Sequence, residues 1–140
     1  MSQDLYQQAL VELAKSGTGA GRLDKADGTA TADNPLCGDR VTLDLTLSEG
    51  RVDDLAHKTR GCLLTQAAAA WVGCQVPGMG KAEAAALREQ VRQWLAGEKE
   101  KAPEGFDIMA PVRTVKSRHD CVLIAFEALG EALKQAAGKG

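Results

Sequence analysis

The sequence is poor in histidine, in net charge and in long hydrophobic runs. It has two histidines in 140 residues, so a metal site would depend mainly on thiolate and carboxylate ligands. Seventeen basic and nineteen acidic residues give a formal net charge of −2, which removes the electrostatic attraction on which nucleic-acid binders depend. The most apolar segment, 62–76, is too short to span a bilayer, and the N-terminus lacks the pattern of a secretory signal. These absences predict a cytoplasmic protein that binds neither nucleic acid nor membrane.

The size and composition predict one compact domain over residues 1–140. The chain weighs 14.7 kDa and is 44% hydrophobic and 26% charged, which is ordinary for a globular protein. A chain of this size does not need disulfides to fold, and the cytosol keeps thiols reduced. Its four cysteines are therefore expected to bind metal, to take part in catalysis or to pack in the core.

The hydrophobic pattern predicts strands first and helices afterwards. Strict alternation over 41–47 indicates a half-buried strand with one solvated face. Turn residues follow, and 52–59 is the expected returning strand of a hairpin; a weaker strand is expected over 28–32. Helical periodicity predicts helices over 4–15, 63–72, 81–95 and 118–137. This order predicts an α+β fold, with about three antiparallel strands followed by packed helices.

Three of the four cysteines lie where an apolar element meets a polar segment. Cys37 lies in a turn that opens the strand over 41–47, whereas Cys62 and Cys121 each open a predicted helix. Free N–H groups and the helix dipole favour a thiolate in the first turn of a helix. Cys74 lies inside an apolar stretch and is expected to pack in the core as a small hydrophobe.

Asp39 is the candidate fourth ligand, because it lies two residues from Cys37 in a tight turn. The sequence contains no C-x-x-C pair, so zinc-ribbon motifs are absent. A carboxylate is a harder and more labile ligand than a thiolate. Three thiolates and one carboxylate would hold zinc in a site that is open to exchange, or a transient iron–sulfur cluster.

These motifs resemble the IscU/NifU/SufU family of iron–sulfur scaffolds. The resemblance is carried by Asn34-Pro35-Leu36-Cys37-Gly38-Asp39, by Gly61-Cys62 at the start of a helix of small residues, and by Arg118-x-x-Cys121 at the head of an apolar helix. It is strongest for the SufU-type branch. The resemblance implies a SufE/IscU-like fold and one exposed metal site formed by Cys37, Asp39, Cys62 and Cys121.

The resemblance also implies a function and partners. A cysteine desulfurase would pass persulfide sulfur to Cys37, with Cys121 as the alternative acceptor and Arg118 supporting the thiolate or persulfide. The site would hold zinc, as in the SufU-type branch, or a [2Fe–2S] cluster, as in the IscU-type branch. Apo iron–sulfur proteins or cluster carriers would receive the product. The implied role is that of a scaffold and sulfur acceptor, with a zinc-dependent sulfurtransferase that activates a desulfurase as the alternative.

Two further hypotheses come from other function classes. A cysteine-nucleophile hydrolase would use Cys121 with a histidine base, although no orienting third group is evident. A small interaction module would use its cysteines only as core residues. His57 is expected to be a hydrogen-bonded structural histidine, and His119 is an outside candidate for an exchanging ligand.

A small basic cluster precedes Cys121. It consists of Arg113, Lys116 and Arg118, and it predicts either a solvated face or a docking surface for an acidic partner.

Overall fold

The chain folds into an antiparallel sheet covered by helices, which confirms the predicted α+β class. The computed structural model describes residues 2–34 and 38–139, with side chains over 8–34 and 38–136. The elements, in chain order, are α1 (Ser2–Ser16), β1 (Gly28–Asn34), β2 (Asp39–Ser48), β3 (Arg51–Arg60), α2 (Leu63–Gln75), α3 (Lys81–Leu95), 3-10 helices over Phe106–Thr114 and Lys116–Arg118, and α4 (His119–Lys139).

The sheet has the order β1-β2-β3, and both pairings are antiparallel. The hairpin between β2 and β3 turns through Glu49 and Gly50, whose φ values of 55° and 78° lie in the left-handed region. Such values are easily reached by glycine, which accounts for Gly50 at the tip of the turn. The weak strand expected over 28–32 is β1, and the returning strand expected over 52–59 is β3.

The core lies between one face of the sheet and the helices. Val41, Leu43 and Leu45 of β2 are buried, and α4 packs across β1 and β2. A Cβ at Gly28 would collide with the backbone carbonyl of Ala132, so the start of β1 can approach α4 only because it is a glycine. None of the described helices is both long enough and apolar enough to cross a membrane.

The tryptophans and phenylalanines form one cluster at the centre of the helical layer. Trp71 lies 5.0 Å from Phe106 and 5.8 Å from Phe126, measured between ring centroids. Trp94 lies 5.6 Å from Phe106. The contacts of Phe106 with both tryptophans are edge-to-face, a geometry that contributes beyond the burial of apolar area. The cluster joins α2, α3, α4 and the first 3-10 helix, an element that the sequence analysis did not predict.

The solvated face predicted for β2 is wrong at Asp44, which is fully buried. The segment that precedes β1 covers this face and supplies donors: Arg22 Nε lies 2.6 Å from Asp44 Oδ2, and the Leu23 N–H donates to the same oxygen. The Thr29 hydroxyl donates to Oδ1 over 2.6 Å. Burial by itself would raise the pKa of Asp44, but these hydrogen bonds outweigh it and hold the pKa below its usual value.

Candidate metal centre

Three of the predicted ligands meet at one point, and each comes from the start of its element. Asp39 is the first residue of β2, Cys62 is the N-cap residue of α2, and Cys121 lies in the first turn of α4. One ligand atom from each of the three lies within 4.8 Å of the others. Cys37, the fourth predicted ligand and the predicted sulfur acceptor, lies outside the described residues.

Asp39 is held inside the protein with one oxygen unused. Its side chain is 2% exposed, and Oδ1 accepts a hydrogen bond from the Cys62 N–H over 3.1 Å. Oδ2 is buried and has no hydrogen-bond partner among the described residues. Burying a carboxylate oxygen without a hydrogen-bond partner costs free energy. A bound cation would supply the missing partner of Asp39 Oδ2.

Gly61 makes room for the Asp39 carboxylate. A Cβ at this position would lie 2.9 Å from Cγ and 3.1 Å from Cβ of Asp39, closer than unbonded carbon atoms normally approach. The Gly61-Cys62 pair therefore does two things: the glycine admits the carboxylate, and the N–H of the next residue binds it.

Cys62 is half-buried and is the more acidic of the two described thiols at the centre. Its Sγ lies 3.4 Å from the Thr65 hydroxyl oxygen. Burial acts to raise its pKa, but the Thr65 hydroxyl, the backbone N–H groups of Thr65 and Leu64, and the Cys121 thiol together bring the pKa below its usual value. This agrees with the expectation that the start of a helix favours a thiolate.

Cys121 does not follow that expectation. It is 0% exposed, and burial, a hydrogen bond to Asp39 and the neighbouring Cys62 together raise its pKa to about 12. The effect of the start of α4 is outweighed by burial first and then by the neighbouring Asp39 and Cys62. Without a bound cation, Cys121 therefore keeps its proton at neutral pH, and binding of a cation would release it.

The three side chains fit a soft or borderline divalent metal. Two sulfurs and one carboxylate oxygen belong to the donor set of tetrahedral zinc and of iron–sulfur sites. A tetrahedral ion with bonds of about 2.3 Å to sulfur needs its ligand atoms about 3.8 Å apart, which a separation below 4.8 Å approaches. Asp39 and Cys121 are buried, so the exposed site implied by the resemblance is wrong for these two side chains.

A family comparison fits this geometry. The sequence model of the family described as NifU-like N terminal domain matches residues 5–139. The chain belongs to this family. This NifU-like domain is 29% identical over 133 residues to the iron–sulfur cluster assembly scaffold protein IscU of Thermotoga maritima, covering 94% of each chain. It is 28% identical over 136 residues to the IscU of Streptococcus pyogenes serotype M1, covering 95% of this chain and 85% of that protein.

Solved structures agree with the family. The N-terminal part of a NifU-like protein from Brucella abortus superimposes with a TM-score of 0.90 and 32% identity, covering 98% of this chain and 97% of that chain. A scaffold protein for the SUF system from Fervidobacterium islandicum superimposes with a TM-score of 0.74 over 89% of this chain and 93% of that chain. At 22% identity it shares the fold alone. The family predicted from the motifs is confirmed, while the SufU-type branch stays a prediction.

The two histidines of the NifU-like domain bind backbone and hydroxyl groups. His57 is buried; its Nε2–H donates to the Thr18 carbonyl over 2.8 Å, and Nδ1 accepts from the Thr59 hydroxyl over 2.9 Å. This is the structural histidine that the sequence predicted. His119 Nε2 lies 3.1 Å from two backbone carbonyl oxygens, those of Val112 and Arg113, and His119 is not among the described groups that could share a metal.

The residues of the predicted basic cluster have different environments in the structure. Arg113 donates to the Trp94 carbonyl over 2.8 Å and lies 5.0 Å from the centre of the Trp94 ring. It therefore tethers the first 3-10 helix to α3, and its guanidinium is already engaged. Lys116 and Arg118 are exposed. Of the three residues of the cluster, these two could form the predicted docking surface for an acidic partner.

The prediction that Cys74 packs in the core is wrong, because Cys74 is exposed. It lies in the last turn of α2, where the buried side of the helix is already occupied by Trp71 and Val72. The apolar stretch around Cys74 gave no indication of which side of the helix would be exposed.

Thr65 is the residue of the centre that the sequence analysis missed. Its side chain is buried and contacts Cys62. The available signal was a single hydroxyl one helical turn after a cysteine, within a run of otherwise apolar or small residues.

Proposed function

We propose that this NifU-like domain is a scaffold for iron–sulfur cluster assembly. Asp39, Cys62 and Cys121, together with Cys37, would hold a [2Fe–2S] cluster or a zinc ion. The observation that carries the proposal is the meeting of two thiols and a buried, unpaired carboxylate oxygen within 4.8 Å. Two relatives described as IscU scaffold proteins support the same role.

The described ligands would contribute differently to the bound cargo. Cys62 is the ready ligand, because its lowered pKa favours the thiolate. Cys121 would lose its proton when it binds metal, so metal affinity would rise with increasing pH. Asp39 supplies a hard oxygen ligand among soft sulfurs, and such a ligand exchanges more readily. A scaffold must release the cluster that it builds, and a ligand that exchanges readily would make this release easier.

We propose that sulfur enters on Cys37 from a cysteine desulfurase. The Cys37 thiolate would attack the outer sulfur of the partner's cysteine persulfide. A sulfur–sulfur bond forms on Cys37 while the partner's sulfur–sulfur bond breaks, and the partner's cysteine leaves as a thiolate. The step needs no external oxidant or reductant. Complete burial and a raised pKa make Cys121, the alternative acceptor, a poor nucleophile.

An apolar groove beside the centre supports docking of the desulfurase on this side. Leu63 and Val115 are the large apolar side chains that are exposed among the described residues, by 42% and 44%. They line a groove of about 370 Å³ together with Leu10, Val11, Leu64, Pro111, Val112 and Arg118. Leu63 follows Cys62 directly, so a partner in this groove would lie beside the metal ligands. Arg118, at the edge of the groove, would contact the negative persulfide group. Apo iron–sulfur proteins or carriers would use the same approach to the centre.

A cysteine hydrolase is less well supported. Such an enzyme needs a histidine within hydrogen-bond reach of its nucleophile. Within residues 8–34 and 38–136, no hydrogen bond joins a histidine to a cysteine, since His57 and His119 contact other groups. A pure interaction module is also less well supported, because Cys121 faces Asp39 and Cys62.

Metal analysis and reconstitution test the proposal. Wild-type protein purified without chelator, and protein incubated anaerobically with iron and sulfide, should carry about one zinc ion or one [2Fe–2S] cluster per chain. Cys62→Ser should lose this binding. Cys74→Ser is the matched control, because Cys74 is exposed and lies outside the centre. Full cluster and zinc binding by Cys62→Ser would contradict the proposal.

Sulfur transfer is tested by incubation with a cysteine desulfurase and cysteine. Mass spectrometry should place an added sulfur on Cys37 and none on Cys74. Zinc binding with stimulation of the desulfurase, but without any cluster on reconstitution, would favour the zinc-dependent sulfurtransferase. Absence of persulfide on Cys37 would contradict the acceptor role.

A further inference from the structure

Thr65 combines complete burial with a hydroxyl group beside a metal-binding sulfur. It lies in the first turn of α2, and its hydroxyl oxygen is 3.4 Å from Cys62 Sγ. Among the described residues this is the one hydrogen bond found for that hydroxyl. Buried hydroxyls need a partner, so the pairing with Cys62 accounts for a polar side chain at this position.

The direction of this hydrogen bond is fixed once Cys62 binds a cation. A cysteine ligand is a thiolate, which carries no proton and can only accept. The Thr65 hydroxyl must then donate. The backbone restricts its position, because a threonine in a helix has two common χ1 rotamers, and the one adopted here places the hydroxyl oxygen 3.4 Å from Cys62 Sγ. The sulfur of Cys62 therefore has a fully buried hydroxyl donor beside it.

The Cys121 sulfur has a different environment. Its Sγ lies within 4.8 Å of a carboxylate oxygen of Asp39 and of Cys62 Sγ. Among the hydrogen bonds of the described residues, the hydroxyl that contacts a cysteine sulfur is that of Thr65, and the sulfur is that of Cys62. Two sulfurs of one centre are thus unequal: one accepts from a neutral donor, and the other faces acceptors.

We propose that Thr65 is a positioning residue of the metal centre, a fixed hydroxyl donor that orients the Cys62 sulfur toward Asp39 and Cys121 and makes it the less electron-rich of the two sulfur ligands. This rests on the proposed function, since it requires that Cys62 binds metal. Groups that hydrogen-bond to ligands orient them, and their removal commonly weakens metal binding by 10- to 100-fold, so about tenfold is expected for one hydroxyl.

The electronic part of the proposal has a spectroscopic consequence. A hydrogen bond stabilises the lone pairs of a thiolate, so moving an electron from sulfur to a metal requires more energy. Removal of the hydroxyl should shift the sulfur-to-metal charge-transfer band to longer wavelength. A change in fold stability alone would not produce this shift.

Cobalt(II) is the probe for the test, because it takes tetrahedral zinc sites and its bands are visible. The variants are Thr65→Val, which keeps the shape and removes the hydroxyl, Thr65→Ala, which adds no bulk, and Thr65→Ser, which restores the hydroxyl. Thr31→Val is the matched control, because the Thr31 hydroxyl is exposed and pairs only with Thr42 among the described residues. Circular dichroism shows that each variant is folded, and Thr65→Ala decides if Thr65→Val does not fold.

We expect Thr65→Val and Thr65→Ala to bind cobalt about tenfold more weakly in chelator competition, with the band at longer wavelength. Thr65→Ser and Thr31→Val should match the wild type in both measurements. Wild-type affinity and band position in both hydroxyl-free variants, or no recovery in folded Thr65→Ser, would overturn the role of Thr65 and leave the proposed function intact. Absence of any sulfur-to-cobalt band in the wild type would overturn the proposed metal centre and this inference with it.

Discussion

Gly61→Ala should damage the proposed metal centre without replacing any of its candidate ligands. The new Cβ would lie 2.9 Å from Cγ of Asp39 and 3.1 Å from its Cβ. Carbon atoms that are not bonded prefer about 3.5–4.0 Å, so the carboxyl group must retreat by roughly 0.5–1 Å. This movement also stretches the 3.1 Å hydrogen bond from the Cys62 N–H to Asp39 Oδ1.

Two free energies should change. Forcing a methyl group into a filled space costs about 1–3 kcal/mol of unfolding free energy in the metal-free protein. Metal binding should weaken in addition, because Asp39 is both a proposed ligand and the acceptor of the hydrogen bond from the Cys62 N–H. We expect at least a tenfold loss of affinity, equivalent to about 1.4 kcal/mol.

Zinc affinity is measured by chelator competition, and stability by urea unfolding of the metal-free protein. Gly80→Ala is the matched control, since Gly80 has an ordinary φ of −62° and its Cβ would meet nothing within 4 Å. The control should bind zinc like the wild type. Wild-type affinity in Gly61→Ala would refute the argument that the missing side chain positions Asp39.

Four other changes have defined expectations. Asp39→Ala should release metal at least tenfold faster while still unfolding cooperatively, because it removes the labile ligand; unchanged release kinetics would contradict its role. Burial lowers the pKa of His57, and the hydrogen bond to the Thr18 carbonyl opposes this effect. As the pH falls through about 6.5, His57 therefore binds a proton in the unfolded chain before it does so in the native protein. Unfolding free energy should therefore fall as the pH drops below about 6.5, and His57→Gln should lose this component of the pH dependence. Arg22→Met should lower the midpoint of urea unfolding, because the Asp44 side chain is 1% exposed and would lose its charged partner; a midpoint equal to that of the wild type would contradict this. Gly130→Ala, inside α4 with open space around its Cβ, should raise the unfolding free energy by about 0.5–1 kcal/mol, and a loss of stability would be contrary to expectation.

Local patterns were sufficient to predict the strands and the α-helices of this fold, but not its 3-10 helices. The alternation over 41–47 identified β2, because one face of that strand is apolar and buried. Small and apolar periodicity identified α2, α3 and α4 in the same way. Asp44 shows the limit of such patterns, since its burial depends on Arg22 and on the chain segment around it, which no periodicity in β2 can report.

The sequence pointed to three residues that meet at the candidate site, but not to their surroundings. Glycine beside cysteine and aspartate beside cysteine are visible in the sequence, and the three described ligands do meet. The high pKa of Cys121 was not visible, because it comes from burial beside Asp39 and Cys62, which are distant in sequence. The solvent-facing position of Cys74 likewise depends on which side of α2 meets the rest of the molecule.

The placement of the three ligands at the starts of β2, α2 and α4 has a consequence during synthesis of the chain. Cys121 belongs to the last element of the described fold, so the ribosome makes the sheet and α2 before the centre can be completed. Earlier chain segments can present Asp39 and Cys62, but they cannot offer the full set of ligands. If the proposed centre binds metal, loading is therefore coupled to completed folding, and a chain stalled before α4 would lack one of the candidate ligands.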